Sequence, residues 1–167
     1  MPEQVDDRVR ALRALDKALV DAAGYLADVD PELDGGHQTA REVLCHLVFW
    51  HREYVAIIQA LLEDQEPPLK EGTYAQLNCE ATIEFADRSM DELARLLLAL
   101  QASLRKQLLA LPDWSVDFPV KRGSRRKSVS ERVPGIAGHV RGHMKRLRRA
   151  DRLGEAWVRA YYPDLGE

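Results

Sequence analysis

Three histidines occupy positions from which their side chains could reach one metal ion. His139 and His143 are four residues apart in a segment with helical periodicity, so both imidazoles lie on one face with Cβ atoms roughly 6 Å apart. His46 lies in an earlier helical segment, between Val43 and Leu47 on its apolar face. Imidazole nitrogens at this spacing can bind one divalent ion at about 2.0–2.1 Å. The sequence therefore predicts a metal site made by His46, His139 and His143.

The apolar neighbours of the histidines favour this interpretation. Ile136, His139, Val140, His143 and Leu147 follow the spacing of one helix face, so both histidines belong to an apolar stripe and are expected to point into the core. A single histidine in such a stripe is more typical of a hydrogen-bonded core residue. Three of them are hard to satisfy together without a metal ion or water, because buried polar groups need partners.

Four further side chains are candidates for contact with the ligand histidines or with a substrate. Glu42 lies one turn before His46, where its carboxylate could accept the proton of the second imidazole nitrogen and orient the ring. Helical phase adds Trp50, Asn78 and Arg141. The pattern does not predict which residue carries out catalysis.

The remaining two histidines are given no role. His37 lies in a turn beside Gly35 and Gly36. His51 is about 140° around its helix from His46, so it is not expected to reach the same ion.

Long helices are needed to position the triad, and the apolar periodicity predicts four of them. They cover about 2–27, 40–65, 90–111 and 129–152, with a shorter helical piece over 73–86 and a short helical tail over 155–162. Three of the starts carry a capping box, in which a Ser or Thr is followed three residues later by Glu: Thr39 with Glu42, Ser89 with Glu92, and Ser128 with Glu131.

The segment between the last two long helices does not read as a helix. Residues 114–127 alternate apolar and polar side chains, which predicts an extended arm or a small hairpin. Pro134 and Gly135 come soon after the last helix starts, so a kink or a restart is expected there. These elements predict an all-α fold, an antiparallel four-helix bundle with a short non-helical arm, formed by a single domain over 1–167.

Composition sets limits on the class of protein. The chain has 167 residues, 46% hydrophobic and 31% charged, with two cysteines, which is typical of one globular domain. No apolar run approaches the roughly 20 residues needed to span a bilayer. The acidic N-terminal residues do not resemble a signal peptide. A cytoplasmic protein with no membrane partner is therefore expected.

The same motifs resemble those of a known superfamily. The string Thr-Ala-Arg-Glu-Val-Leu-Cys-His-Leu-Val-Phe-Trp over 39–50, with the late pair His139 and His143, resembles the DinB/YfiT-like metalloproteins. The segment 74–78 looks more like the ClbS/DfsB branch. The resemblance covers nearly the whole chain. It implies a four-helix bundle that binds zinc or nickel through His46, His139 and His143.

Three functions compete at this stage. The leading hypothesis is a metal-dependent thiol transferase or hydrolase acting on a small molecule, because some relatives use a low-molecular-weight thiol. The second is a metal-independent resistance or sequestering protein of ClbS type. The third is an anion- or nucleic-acid-binding module built on the basic loop, which we define as residues 121–127 (Lys-Arg-Gly-Ser-Arg-Arg-Lys).

Charge distribution bears on the third hypothesis. Residues 1–83 carry 7 Lys and Arg against 16 Asp and Glu, whereas residues 84–167 carry 17 against 11. The net charge of −3 is not basic, and no recognised DNA-binding motif accompanies the loop. We therefore do not expect nucleic acid as a partner. The basic loop could instead gate the metal pocket and hold an acidic substrate. A homodimer is plausible from the apolar second helix and the tail residues Trp157, Tyr161 and Tyr162.

Overall fold

The computed structural model describes residues 2–154 and is mostly helical. Its elements are α1 (Pro2–Asp28), α2 (Ala40–Leu62), α3 (Tyr74–Glu84), α4 (Met90–Ala110), β1 (Asp117–Phe118), β2 (Lys127–Ser128) and α5 (Val129–Leu153). The helices predicted within these residues all appear, with small shifts in their ends. The predicted tail over 155–162, and with it Trp157, Tyr161 and Tyr162, lies outside the described residues.

Helix starts follow the capping boxes. At α2, α4 and α5 the N-cap hydroxyl accepts from the backbone N–H three residues on, and the Glu carboxylate accepts from the N-cap N–H. Both bonds satisfy amides that have no partner inside the helix. A fourth box, Thr73 with Gln76, starts α3.

Pro134 does not restart the last helix, contrary to one of the two outcomes predicted there. α5 runs without interruption from Val129 to Leu153 and contains Pro134 in its second turn. Proline removes one N–H donor and therefore one bond of the ladder. Apolar burial on both sides of Pro134, at Val133 and Ala137, holds the helix against the core despite this loss.

The arm between α4 and α5 is a small hairpin, as one of the predicted alternatives had it. β1 and β2 pair antiparallel, with Asp117 opposite Ser128 and Phe118 opposite Lys127. The arm is tied to the start of α5, because the carbonyls of Trp114 and Val116 accept from the first turn of that helix.

Packing leaves one side of the molecule open. α1 packs against α4 and α5, and α2 packs against α4 and α3, whereas α2 and α5 make little direct contact. The shared core is filled by large buried side chains of all four long helices, among them Leu15, Leu19, Leu44, Phe49, Leu93, Leu97, Val133 and Leu147. The gap between α2 and α5 is a cleft of about 1040 Å³ with α3 and the arm at its rim.

None of the helices within the described residues combines the length and the hydrophobicity needed to cross a membrane.

Candidate metal centre

The predicted triad comes together in the cleft. His46 on α2 and the pair His139 and His143 on α5 direct their Nε2 atoms at one another across the gap. Nε2 of His139 lies 2.8 Å from Nε2 of His46 and 3.0 Å from Nε2 of His143. One nitrogen from each ring lies within 4.8 Å of the other two. Three ligand atoms from two helices therefore converge on one point.

Exposure differs among the three rings. His46 and His143 are buried, with 8% and 7% of their surface exposed, whereas His139 is exposed to the open cleft. The two buried rings form the floor of the site and the third forms its edge. A ligand in the cleft can therefore approach from the side of His139.

Burial holds the triad in its neutral form. Desolvation is the largest cause of the lowered pKa of His46, which falls to about 4 although the bond to Asn78 opposes it. Burial, and then the nearby rings of His139 and His46, lower the pKa of His143 far below its usual range. The pKa of His139 is also lowered, first by desolvation of its ring and then by the positive charge of Arg146. Neutral imidazole is the form that binds a metal.

Asn78 sets the tautomer of His46. Its Oδ1 accepts from Nε1 of Trp50 at 2.9 Å and lies 2.7 Å from Nδ1 of His46. An indole nitrogen only donates, so the Asn78 atom that faces Trp50 must be the amide oxygen. The same oxygen faces Nδ1 of His46, which must therefore carry the proton. The lone pair of His46 is left on Nε2, facing the other two rings.

Arg146 sets the tautomer of His143 in the opposite sense. Its Nη2 donates to Nδ1 of His143 at 3.1 Å, so the proton of neutral His143 lies on Nε2. In that state the two contacts of His139 Nε2 cannot both be hydrogen bonds. If His143 donates to His139, the lone pairs of His139 and His46 face each other. If His139 donates to His46 instead, two protons face each other.

The donor set fits a divalent metal ion. An ion bound at about 2.0–2.1 Å places tetrahedral ligand nitrogens about 3.3 Å apart, so both short Nε2 contacts need to widen by only a few tenths of an ångström. His46 already presents a lone pair. For His143 to ligate through Nε2, its proton must leave that atom and the bond from Arg146 must give way. A metal ion would remove the conflict between protons that the metal-free rings cannot resolve.

The structure corrects the predicted role of Glu42. Its Oε2 accepts from the backbone N–H of Thr39 as part of the capping box, and Asn78 takes the place at Nδ1 of His46. Glu42 still lines the cleft, and Trp50 and Asn78 lie beside the triad.

The structure does not place Arg141 among the residues that line the cleft. Arg141 lines a separate shallow pocket against α1, with Ala18 and Asp21. It is two residues from both His139 and His143, which turns it about 200° from either ring. Arg146 reaches the site instead. Its spacing of three residues from His143 is the signal that could have identified it.

Other residues of the cleft were not predicted from the sequence. Cys79 is exposed and lines the cleft beside Asn78. His51, given no role, is buried with its Nε2 2.7 Å from Oε1 of Gln101. Tyr54 and Arg132 line the cleft at the end away from the triad.

Comparison of the chain with protein-family models, with curated proteins and with solved structures finds no match.

The basic loop is attached to the protein surface rather than projecting from it. Arg126 forms an ion pair with Asp117 on β1, with 2.7 Å between Nε and Oδ1. The ammonium of Lys121 lies 5.0 Å from the centre of the Tyr74 ring, and Lys127 lines the cleft. The end of the loop therefore lies at the cleft, and gating of the pocket by the loop stays a prediction.

Proposed function

We propose that the protein binds a divalent metal ion, zinc or nickel, through His46, His139 and His143, and uses it to act on a small molecule in the cleft. The convergence of three Nε2 atoms at the wall of an open cleft carries this proposal. The proposed reaction class is that of a metal-dependent thiol transferase or hydrolase, with a low-molecular-weight thiol as a possible co-substrate.

An open coordination position supports a catalytic metal over a structural one. Structural zinc sites use four protein ligands, whereas catalytic sites keep a position for water or substrate. Here three histidines are brought together among the described residues, and the cleft lies over the exposed ring of His139. A bound ion would lower the pKa of a thiol or water in that position and so supply a nucleophile near neutral pH.

The protein's own residues orient the ligands and shape the pocket. Asn78, held by Trp50, keeps the lone pair of His46 on Nε2. Arg146 places a positive charge beside His143, which favours an anionic group, such as a thiolate, at the open position.

The finer architectural proposals rest on the sequence resemblance together with helix order. We propose that the chain is a DinB/YfiT-like protein whose long helices α1, α2, α4 and α5 form an antiparallel bundle. The order of its helices, and the placement of one ligand on α2 and two on α5, support this assignment. A cytoplasmic location and a homodimer are proposals from the sequence alone.

Metal content of the untagged protein tests the proposal. Mass spectrometry of the parent, incubated with zinc or nickel and then dialysed, is expected to find close to one ion per chain. A His143→Ala variant is expected to lose it. His37→Ala is the matched control, because His37 is exposed and lines the same cleft outside the triad.

Two results would contradict the proposal. One is a parent that stays empty of metal after incubation with either ion. The other is equal metal loss in the His143 and His37 variants, which would show binding at scattered surface sites. Stoichiometric metal without activity towards thiol or hydrolytic substrates would retain the metal site and reject the reaction class, leaving the sequestering hypothesis.

A further inference from the structure

A second polar group of the cleft lies far from the triad. Arg132 is on the first turns of α5, seven residues before His139, which places it about 10 Å from that ring along the helix axis. Tyr54 lies at the same end, eight residues after His46 on α2. Both residues line the cleft. The cleft therefore has one end at the histidines and another at Arg132.

The arm holds Arg132 in place through one side of its guanidinium. Nη2 donates to the carbonyl of Phe118 at 2.8 Å and to that of Arg125 at 2.7 Å, and the guanidinium carbon lies 5.2 Å from the centre of the Phe118 ring. Both protons of Nη2 are used. A cation anchored in this way loses little freedom when it binds a ligand.

The charge of Arg132 has no carboxylate partner among the side chains that the structure describes, those of residues 7–154. No ion pair of those residues includes it, and its Nε is buried without an acceptor. Its hydrogen bonds there use Nη2 alone, which leaves Nη1 available. An arginine stays charged at all relevant pH values, so a half-buried one without a counter-charge favours an anion.

Neither carboxylate that lines the cleft, Glu42 or Glu131, forms an ion pair with Arg132. Glu131, beside Arg132, has its Oε2 engaged by the N–H and hydroxyl of Ser128. Glu42 caps α2 at the triad end. Lys127 adds a second cation near Arg132. Burial raises the pKa of Tyr54 to about 12 despite the nearby charge of Arg132, so its hydroxyl stays a donor.

We infer that the cleft binds an elongated organic carboxylate whose charged group is held at Arg132, with the rest of the molecule directed towards the histidines. Trp50, Tyr74 and Ile136 give the middle of the cleft an aromatic and apolar wall, which suits a hydrocarbon or aryl spacer. Arginine pairs with a carboxylate through charge-assisted hydrogen bonds. Binding of the carboxylate at Arg132 needs no metal ion. The inference rests on the proposed function only in placing the reacting end of the molecule at the histidines.

Two probes that differ only in their terminal group test whether the cleft prefers a carboxylate. Isothermal titration calorimetry with phenylbutyrate and with phenylbutanol on metal-free full-length protein measures the preference for the charged group. The acid is expected to bind about tenfold or more tightly than the alcohol. In Arg132→Gln this preference is expected to fall below about twofold, while the affinity for the alcohol is unchanged.

Arg126→Gln is the matched control. It removes one positive charge from the arm that holds Arg132, but Arg126 pairs with Asp117 outside the cleft. The acid preference is expected to survive in this variant. If Arg132→Gln does not fold, Tyr54→Phe serves in its place. It is expected to weaken binding of the acid more than binding of the alcohol, because it removes a hydrogen-bond donor at the Arg132 end of the cleft.

The outcomes separate this inference from the proposed metal function. Equal affinity of the parent for acid and alcohol overturns the carboxylate end, whatever the metal content. An acid preference lost equally in the Arg126 and Arg132 variants overturns it as well, because only general charge would then be involved. An acid preference that depends on Arg132 in a protein that never takes up metal supports the inference while the metal proposal fails.

Discussion

Helix α2 carries two buried histidines, His46 and His51, that differ in whether their hydrogen bonds can all be formed at once. Nε2 of His51 donates to Oε1 of Gln101, and Nε2 of Gln101 donates to Oδ1 of Asp16, both at 2.7 Å. Each donor in that chain has an acceptor. At His46 three rings meet through two Nε2 contacts that cannot both be hydrogen bonds. Both histidines have a pKa lowered to about 4 by burial, so the lowered pKa does not distinguish a ligand site from a structural one. What distinguishes the two sites is whether each donor faces an acceptor.

The largest expected effect comes from exchanging the two histidines for alanine. His46→Ala is expected to weaken metal binding by more than about 100-fold, the upper size for loss of a partner that only orients a ligand. His51→Ala is expected to keep the metal affinity but to lower the free energy of unfolding by about 1–3 kcal/mol, because Gln101 loses its buried donor. Metal titration and urea unfolding of both variants check this, and equal metal loss in both would contradict the contrast.

The His51 chain also predicts a pH dependence. The pKa of His51 falls from 6.5 in the unfolded state to about 4 in the folded state. Below pH 6.5 the unfolded chain binds a proton that the folded protein refuses, so the free energy of unfolding falls as pH drops from 6.5 towards 4. The loss amounts to about 3 kcal/mol at most. Urea unfolding of metal-free protein across this range measures it.

His51→Gln provides the control for that experiment. A glutamine keeps an amide donor near the position of Nε2 but does not titrate. The decline between pH 6.5 and pH 4 is expected to be smaller than in the parent, with the contribution of the other histidines retained. Identical profiles for parent and variant would show that His51 does not contribute.

Asn78 connects the orientation of His46 to metal affinity. Asn78→Ala is expected to weaken metal binding by about 10- to 100-fold, because the proton on Nδ1 of His46 loses its acceptor and the ring loses its orientation. Competition with a chromophoric chelator measures the affinity. Cys79→Ala is the matched control on the next residue of α3, and a loss of the same size there would argue against a specific role for the amide.

Arg146 provides the smallest and most specific test. Its bond to Nδ1 keeps a proton on Nε2 of His143, so it competes with ligation. Arg146→Gln is expected to raise metal affinity by about fivefold, which corresponds to about 1 kcal/mol. The same titration in Arg141→Gln, which removes an arginine outside the cleft, is expected to show no change. Weaker binding in the Arg146 variant would show that its charge helps to build the site.

Local patterns predicted much of the secondary structure. Three helix starts could be read from capping boxes, since the two hydrogen bonds of a box involve residues three apart. The fourth box, Thr73 with Gln76, was not identified, although it follows the same rule with Gln in place of Glu. At Pro134 the choice between a kink and a restart depended on packing, so the local pattern left it open.

At the metal site, too, local patterns predicted some of the residues and tertiary contacts decided the others. His139 and His143 share a face because of helical period, and apolar neighbours on that face predict their burial. The acceptor for His46 was assigned to Glu42, which is close in sequence, whereas the structure brings Asn78 from α3, 32 residues away. Arg141 and Arg146 both lie on α5, and only the phase relative to His143 separates them.

The sequence by itself therefore determined the helices, their caps and the faces that carry the three histidines, because these depend on interactions within one or two turns. Only the tertiary structure decided that α2 and α5 stand apart and leave a cleft between them. It also decided that Asn78 and Arg146 assign the protons of the triad, and that Arg132 is anchored at the other end with no counter-charge among the described side chains. The physical reason is that distances between helices depend on how all of their side chains pack together, which no single periodic pattern contains.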